Sequence, residues 1–246
     1  MNDIDGGSTQ PARTISNTED VYTRLRALLL NGEIPPGAIL SQVQLAKQLA
    51  VSTTPLREAM RLLQAEGLLV AEHNRRSRVT PLNPRDIDSV YASRIVMEAL
   101  AIRLTVPTLG PTEIEALRAA VKGMADAAEA QDLSAWEPIH ADFHRRITSG
   151  CDEQMSRIIE SVSDHTERYR RSSLFGSPAR TWEIGNEEHQ SILAACEAGQ
   201  PAEASILLAR HLARSALTVL AKVAPEENPI AVREALLMVQ KAAESK

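Results

Sequence analysis

The chain has 246 residues, of which 43% are hydrophobic and 24% charged, enough for one large or two average globular domains. The N-terminus lacks the apolar core of a signal peptide, and no apolar run approaches the ~20 residues of a membrane span. We therefore expect a cytoplasmic protein without a membrane segment. The two cysteines, Cys151 and Cys196, are too few for a disulfide framework or a cysteine zinc site.

The net charge of −5 is unevenly distributed along the chain. Residues 18–80 carry eight Lys and Arg against six Asp and Glu, whereas residues 81–246 carry 18 against 24. The N-terminal part is thus mildly basic, with arginines grouped at 75, 76 and 78. This local asymmetry is compatible with binding to phosphates, although a charge cluster is usually only a solvated surface.

The N-terminal elements predict a winged helix-turn-helix domain over residues 18–81, after a disordered arm at 1–17. Apolar residues recur at helical spacing after a capping position at Asn17 or Thr18, up to the break at Asn31-Gly32. Two short helices follow, with Ser41 and Ser52 as their caps. Segments 68–71 and 78–81 predict a hairpin around a basic tip at residues 73–77.

The helix after Ser52 is the predicted recognition helix. Such a helix fits the major groove, and its N-terminal residues meet the base edges. Arg57 offers the fork that fits guanine, and hydroxyls at the helix start suit phosphate oxygens. The alternative is that Arg57 and Arg61 only pair with Glu58 or Glu66 on a solvated surface. Including the wing, the predicted DNA-binding residues are Ser52, Thr53, Thr54, Arg57, Arg61, Asn74, Arg75, Arg76 and Arg78.

Residues 82–222 predict a second, all-helical domain. Turn signals at Pro107–Pro111, Gly150, Gly176–Pro178 and Gly199–Pro201 separate the helical segments. We expect an antiparallel bundle of six or seven helices, because short loops join neighbouring antiparallel helices. The predicted helices cover about 83–106, 112–130, 133–149, 152–173, 179–198 and 201–222. Residues 223–246 are predicted as a C-terminal extension with a helix at about 228–244.

Four histidines of this bundle form a candidate metal site. His140 and His144 are four residues apart and project from the same helix face. His189 and His211 each lie about ten residues from the Gly199–Pro201 turn, so an antiparallel hairpin places them at the same level. Neutral imidazole suits zinc, nickel, copper or iron. The alternative is that these histidines form a partly buried polar face without a metal.

The stretch from Val21 to Val79 resembles the DNA-binding domain of the GntR family of bacterial transcription regulators. The resemblance rests on GEIPPGAIL, LAKQLAVSTTPLREAMRLLQAEGLL and the wing ending RVT. Two positions depart from the family pattern. Thr53 stands where arginine is frequent, which puts one DNA contact in doubt. Ser77 stands where the wing often has glycine, and we expect it to change how the wing tip enters the minor groove.

Residues 83–222 resemble the FCD-type effector domain of the FadR subfamily, through the Arg94-to-Glu98 helix, DFHRRI, EEHQSILAACEAGQPAEA and ARHL. Many members bind a divalent metal through an aspartate and three histidines. The resemblance implies His144, His189 and His211 as ligands, with His140 in the aspartate position and zinc or nickel as the metal. Asp142 is expected to point away from this face.

A small carboxylate or hydroxy-acid effector follows from metal chemistry and this resemblance together. Arg94 is the candidate carboxylate clamp, although it could instead only pair with Glu98. Arg170 and Arg171 are expected to be solvated. The remaining candidate effector-binding residues are Arg168, Tyr169 and Asn186.

These features predict a homodimeric, ligand-responsive transcription regulator, not an enzyme. Each winged domain would read half of a palindromic operator on double-stranded DNA, and repression is the default expectation. In the cell it would associate with the nucleoid when bound to its operator. One alternative is a metalloenzyme, but the sequence His140-Ala-Asp-Phe-His144 lacks the general-base glutamate of a zincin. Another alternative is a DNA-binding protein with a metal-free bundle.

Overall fold

The computed structural model of the chain divides into two compact units, residues 1–81 and 82–246. The predicted arm at 1–17, apart from Asn17, and the wing residues Asn74 and Arg75 lie outside the described residues. Side chains are not described at residues 84, 133, 168, 171–174 and 178–183, so Arg168 and Arg171 are placed only as helix positions. The structure describes residues 17–30, 32–72, 76–81, 83–174 and 178–244.

Three helices build the core of the first unit: α1 (Thr18–Leu30), α2 (Gln42–Leu49) and α3 (Thr53–Ala65). Asn17 caps α1, because its side-chain oxygen accepts a hydrogen bond from the Glu19 backbone N–H at 3.0 Å. The apolar faces of the three helices meet in one cluster. Its most deeply buried members include Leu25, Leu56, Ala59, Leu63 and Leu68.

The α2–α3 turn and a small sheet complete this unit and confirm the winged helix-turn-helix. Ala50 ends α2 in the left-handed region, at φ 55°, which redirects the chain into α3. The sheet has the antiparallel order β1-β3-β2. The sequence missed its first strand, which has only three residues and no clear alternation. The strands are β1 (Ile39–Ser41), β2 (Leu69–Glu72) and β3 (Arg76–Val79).

Seven α-helices, as far as the described residues show, form the second unit and confirm the predicted bundle. Each lies within about two residues of its predicted span, because Pro, Gly or a capping side chain such as Asp132 marks most of the helix ends. Asn83 caps the first of them by accepting from the Arg85 N–H at 3.2 Å. They are α4 (Pro84–Thr105), α5 (Pro111–Glu129), α6 (Leu133–Ile147), α7 (Glu153–Leu174), α8 (Pro178–Glu197), α9 (Pro201–Val223) and α10 (Ile230–Glu244).

Helix α10 is an integral part of this bundle, although the sequence set it apart as an extension. It packs on α4 and α9 and contributes Val232, Ala235 and Val239 to the core. Its N-terminus is fixed by Asp88, whose carboxylate accepts from the backbone N–H groups of Ala231 and Val232 at 3.0 and 2.9 Å. The negative charge also stabilises the positive end of the helix dipole.

Helix α9 is long and apolar enough to cross a membrane by length and composition alone. Its apolar side chains instead pack in the core of the second unit, with Ala204, Leu208 and Leu212 almost completely buried. The helix also carries His211, which is 4% exposed, in this interior. The apolar character of α9 is therefore that of a core helix.

Candidate DNA interface and metal centre

The start of α3 is exposed, as a DNA-reading surface requires. Ser52, Thr53 and Thr54 are exposed, and Ser52 makes no side-chain capping bond to its own helix. The side chains of Arg57 and Arg61 are 58% and 73% exposed. Both lie near Glu58, at 3.5 and 3.6 Å, and such exposed pairs contribute little. The arginines thus remain accessible to a ligand.

Glu66, the other predicted partner of these arginines, is occupied elsewhere. It accepts hydrogen bonds from the Tyr22 hydroxyl and from Arg26 Nε on α1, the latter at 3.2 Å. These bonds tie the C-terminal end of α3 to α1. The only anionic neighbour that the described residues provide for Arg57 and Arg61 is therefore Glu58.

The wing residues separate into one exposed and two structural positions. Arg76 is exposed, whereas Arg78 donates to Glu72 at 2.7 Å and to the Gly37 carbonyl at 3.3 Å. Ser77 is only 1% exposed, and its hydroxyl accepts a hydrogen bond from Gln64 at 3.0 Å. Ser77 therefore packs β3 against α3, and its effect on the wing tip stays a prediction, because residues 73–75 lie outside the described residues.

The second unit brings the four histidines together in its interior. His140 and His144 come from α6, His189 from α8 and His211 from α9, and all are at most 6% exposed. One potential ligand atom from each lies within 4.8 Å of all the others. The ring centroids of His140 and His144 are 4.6 Å apart, and so are those of His189 and His211. Asp142 forms ion pairs with Arg145 and Arg146 and takes no part in this cluster.

Several ring nitrogens of the cluster have no hydrogen-bond partner among the described residues. They are Nε2 of His144 and both Nδ1 and Nε2 of His189. An unsatisfied buried polar atom costs about 1–3 kcal/mol, so each requires an explanation. A bound cation is one such explanation, because it would accept the lone pair of His144 Nε2 and that of one His189 nitrogen, while a neutral His189 carries its hydrogen on the other nitrogen.

The cluster is electrically neutral near pH 7. Burial lowers the pKa of His140 and of His189 well below the usual value, and the neighbouring histidines add to the effect. Burial also lowers the pKa of His211 to about 4, although its hydrogen bond to Glu188 opposes this. Burial lowers the pKa of His144 against the opposing effect of Glu98. Metal ligation needs neutral imidazole, so these shifts favour it.

Two carboxylates adjoin the cluster and were not identified from the sequence. Glu98 Oε2 lies 3.4 Å from His144 Nδ1, and Glu188 Oε2 lies 2.7 Å from His211 Nδ1. Burial alone would raise the pKa of Glu98, but Arg94 and His144 lower it to about 2. Burial is likewise outweighed at Glu188, whose pKa is lowered to about 2 by hydrogen bonds from His211 and Arg214.

A stack of aromatic and cationic groups flanks His140. Trp136 lies parallel to the His140 ring with centroids 4.3 Å apart, and the Arg170 guanidinium lies 4.9 Å from the Trp136 ring centroid. Arg170 also pairs with Glu137 and Glu167 at 2.6 and 2.5 Å. The expectation that Arg170 is solvated is therefore wrong, since its side chain is only 12% exposed.

Two of the candidate effector residues, Arg94 and Tyr169, are also buried. Arg94 is 6% exposed, pairs with Glu98, and donates from Nη1 to Thr166 Oγ1 at 2.8 Å. Tyr169 is 3% exposed, and Asn186 Oδ1 is a buried acceptor without a partner among the described residues. The hydroxyl of Tyr91, a residue that the sequence did not single out, is also buried without a partner among the described residues. The side chain of Arg168 lies outside the described residues.

The two units correspond to two known families. Residues 17–79 match the family described as "Bacterial regulatory proteins, gntR family", and residues 89–214 match the "FCD domain". The second match alone covers 126 of the 246 residues, slightly more than half of the chain.

Similar proteins carry regulator names. The chain is 29% identical to the uncharacterized HTH-type transcriptional regulator BphR of Paraburkholderia xenovorans, over 83% of this chain and 85% of that protein. It is 28% identical to the HTH-type transcriptional repressor GlaR of Escherichia coli, over 78% and 91%. The solved structure of E. coli McbR/YncC shares the fold, with a TM-score of 0.76 and 22% identity over 85% of this chain and 99% of that one.

Proposed function

The chain belongs to the GntR family of bacterial regulatory proteins and carries an FCD domain, so it is a DNA-binding transcription regulator, and on that premise we propose that a small carboxylate controls its affinity for DNA through a metal-containing helical unit. In this proposal the protein is a cytoplasmic homodimeric repressor. The metal is zinc or nickel. The effector is a small carboxylate or hydroxy acid.

DNA readout is assigned to the exposed surface of α3 and the wing. Arg57 would bind guanine, and the threonine hydroxyls at the helix start would bind phosphate oxygens. Arg61 and Arg76 are exposed cations suited to backbone phosphates. Arg78 contributes mainly by holding the wing, because Glu72 and Gly37 occupy its donors. A two-fold symmetric dimer would read a palindromic operator.

The single observation that carries the metal proposal is the set of partnerless ring nitrogens in the four-histidine cluster. His140, His144, His189 and His211 would hold the ion. Their chemistry fits zinc and nickel, which accept imidazole nitrogen. When bound, the ion would supply a positive centre that attracts an anionic ligand. A metal-free bundle would leave Nε2 of His144 and both nitrogens of His189 buried without partners, whereas an ion would bind one nitrogen of each ring, which argues against that alternative.

Arg94 is assigned as the effector clamp. Its Nε and Nη1 groups are engaged by Glu98 and Thr166, and no described residue occupies Nη2. A carboxylate is the natural ligand for the remaining guanidinium donors. Tyr169, Asn186 and Arg168 complete the assigned effector site, and the buried Tyr91 hydroxyl adds a further donor. Binding there would change the population of DNA-competent conformations and so shift operator affinity.

A thermal-shift screen of small carboxylates and hydroxy acids, performed on the metal-loaded full chain, tests the effector proposal. At least one compound should raise the melting temperature of the wild type and change its affinity for a DNA duplex selected from a random pool. Arg94→Lys should weaken both responses, because lysine cannot form the bidentate contact. Arg118→Lys is the matched control, since Arg118 is an exposed arginine paired with Glu115 and Glu197. Equal responses in wild type and Arg94→Lys would refute the clamp.

A further inference from the structure

The hydrogen bonds around Glu98 determine which nitrogen of His144 faces the histidine cluster. Glu98 is 1% exposed and links three helices. Its Oε1 accepts from Arg94 Nε on α4 and from Ser163 Oγ on α7, the latter at 3.1 Å. Its Oε2 lies 3.4 Å from His144 Nδ1 on α6, slightly longer than a typical N–H···O hydrogen bond. All of its described partners can therefore act as donors.

A carboxylate paired with arginine has no proton to donate. The Nδ1 atom of a neutral His144 can bond to Glu98 only if it carries the hydrogen. The lone pair is then on Nε2, which is buried and has no partner among the described residues. Glu98 thus selects the tautomer in which Nε2 is the free ligand atom.

Glu188 on α8 lies beside Nδ1 of His211 on α9, as Glu98 lies beside Nδ1 of His144. Its Oε2 lies 2.7 Å from His211 Nδ1, while Arg214 donates to Oε1 from Nε and to Oε2 from Nη2, both at 2.5 Å. This carboxylate again faces only donors among its described partners. It differs from Glu98 in being 26% exposed, so that solvent reaches it.

We infer that Glu98 and Glu188 are positioning residues that fix the Nδ1–H tautomers of His144 and His211, so that both rings present Nε2 to the metal. The inference deepens the proposed function and rests on it for the metal itself. Metal-bound histidines commonly donate their second N–H to a carboxylate, which orients the ring and makes the ligand nitrogen more basic. Here the two supporting carboxylates come from α4 and α8, and each is anchored by an arginine.

The consequence for Glu98→Gln follows from the donor and acceptor inventory. Glutamine keeps the shape of glutamate but replaces one oxygen by an NH2 donor. Arg94 can only donate, so the remaining oxygen must stay with Arg94 and Ser163. The NH2 group then faces His144 Nδ1, which must become an acceptor. The hydrogen of His144 moves to Nε2 and blocks the nitrogen that would bind the metal.

The expected result is a change of tautomer together with a loss of metal affinity. In the metal-free full chain with 15N-labelled histidine, two-bond 1H–15N NMR correlations should show the Nδ1–H tautomer at His144 of the wild type. They should show Nε2–H in Glu98→Gln. Competition with a chelator should show zinc affinity reduced about 10- to 100-fold in this variant. A purely structural role of Glu98 would not change the tautomer.

Two further variants are matched to this experiment. Glu188→Gln should reduce zinc affinity less, because its partly exposed side chain can rotate and water can accept the His211 hydrogen. Asp142→Asn makes the same chemical change on α6 between His140 and His144, but Asp142 is paired with surface arginines. It should leave both the tautomer and the zinc affinity unchanged.

The inference is overturned if His144 of the wild type carries its hydrogen on Nε2, a measurement that needs no variant to fold. It is also overturned if folded Glu98→Gln binds zinc as tightly as the wild type. A wild type that binds neither zinc nor nickel, yet shows Nδ1–H at His144, refutes the metal proposal and supports the tautomer assignment. The two failures are therefore distinguishable.

Discussion

The two units place their functional side chains in opposite environments. In the first unit, Thr53, Arg57 and Arg61 are exposed and have only weak partners on their own helix. In the second, the four histidines and Arg94 are buried, and three of these five side chains are bonded to carboxylates. A surface site can change its specificity without affecting folding. A buried polar site couples ligand binding to stability, because an unsatisfied interior group destabilises the fold.

Removal of the metal should produce the largest effect, a loss of stability, because the proposed ion binds in the buried site of the second unit. An ion present at about 100 times its dissociation constant stabilises the folded state by roughly 2.7 kcal/mol. For the second unit, chelation should therefore lower the melting temperature by roughly 5 to 10 °C. Circular dichroism of the zinc-loaded chain, with and without chelator, measures this. His189→Ala is the control that should not respond to chelator, and an unchanged melting temperature in the wild type would contradict the prediction.

Substitution of Arg57 should change DNA binding without changing stability. Arg57→Ala removes the proposed guanine contact, and such a contact contributes about 1–3 kcal/mol of base discrimination. Specific affinity should fall roughly 5- to 150-fold, while the dimer and the melting temperature remain unchanged. A gel shift on a selected duplex measures this, with Arg118→Ala as the control in the other unit. Undiminished specific binding would show that α3 does not read bases through Arg57.

Acidification should destabilise the metal-free protein through the buried histidines. The pKa of His211 is about 4 in the folded state against 6.5 ordinarily, so the unfolded state binds more protons between these values. Stability is therefore present above pH 6.5 and is lost as the pH falls below it. From pH 6.5 to 5, His211 alone should contribute a loss of about 1 to 2 kcal/mol in the free energy of unfolding.

Urea denaturation of the chelator-treated protein at the two pH values measures this loss. His211→Gln should lose less stability on acidification than the wild type. An equal loss in both proteins would place the pH sensitivity elsewhere.

The smallest effect is expected from Arg61→Ala. Arg61 is assigned to a phosphate, so its removal should weaken binding to all sequences alike and leave base preference unchanged. The dependence of the logarithm of affinity on the logarithm of salt concentration should become shallower by about 0.9. Titrations at several salt concentrations, on selected and random duplexes, measure this. A change in base preference would instead assign Arg61 to direct readout.

The sequence predicted the elements well because their ends carry explicit signals. Asn17, Asn83 and the Gly199–Pro201 turn each mark a helix end by capping or by backbone geometry. The equal distance of His189 and His211 from that turn also predicted their approach, and the structure places their rings 4.6 Å apart. The helix ends and the approach of these two histidines could be predicted from local periodicity and from the expectation of one helical hairpin.

Contacts between distant helices could not be predicted in the same way. Glu98 was considered only as a partner of Arg94 and Glu188 was not singled out, and only the packing of α4 against α6 and of α8 against α9 places them beside histidines. Arg170 was expected to be solvated because the sequence does not show that Glu137 and Trp136, on another helix, lie against it. Strand β1 was missed because its pairing with β3 depends on a partner almost forty residues away.

The metal content of the purified chain is the decisive test of the proposed four-histidine metal site. Wild type, His144→Ala and Asp142→Asn should be incubated with zinc or nickel, dialysed and subjected to elemental analysis. We expect one divalent ion per chain in the wild type and in Asp142→Asn, and none in His144→Ala. A wild type that retains no ion, or a His144→Ala variant that retains as much as the wild type, would contradict it.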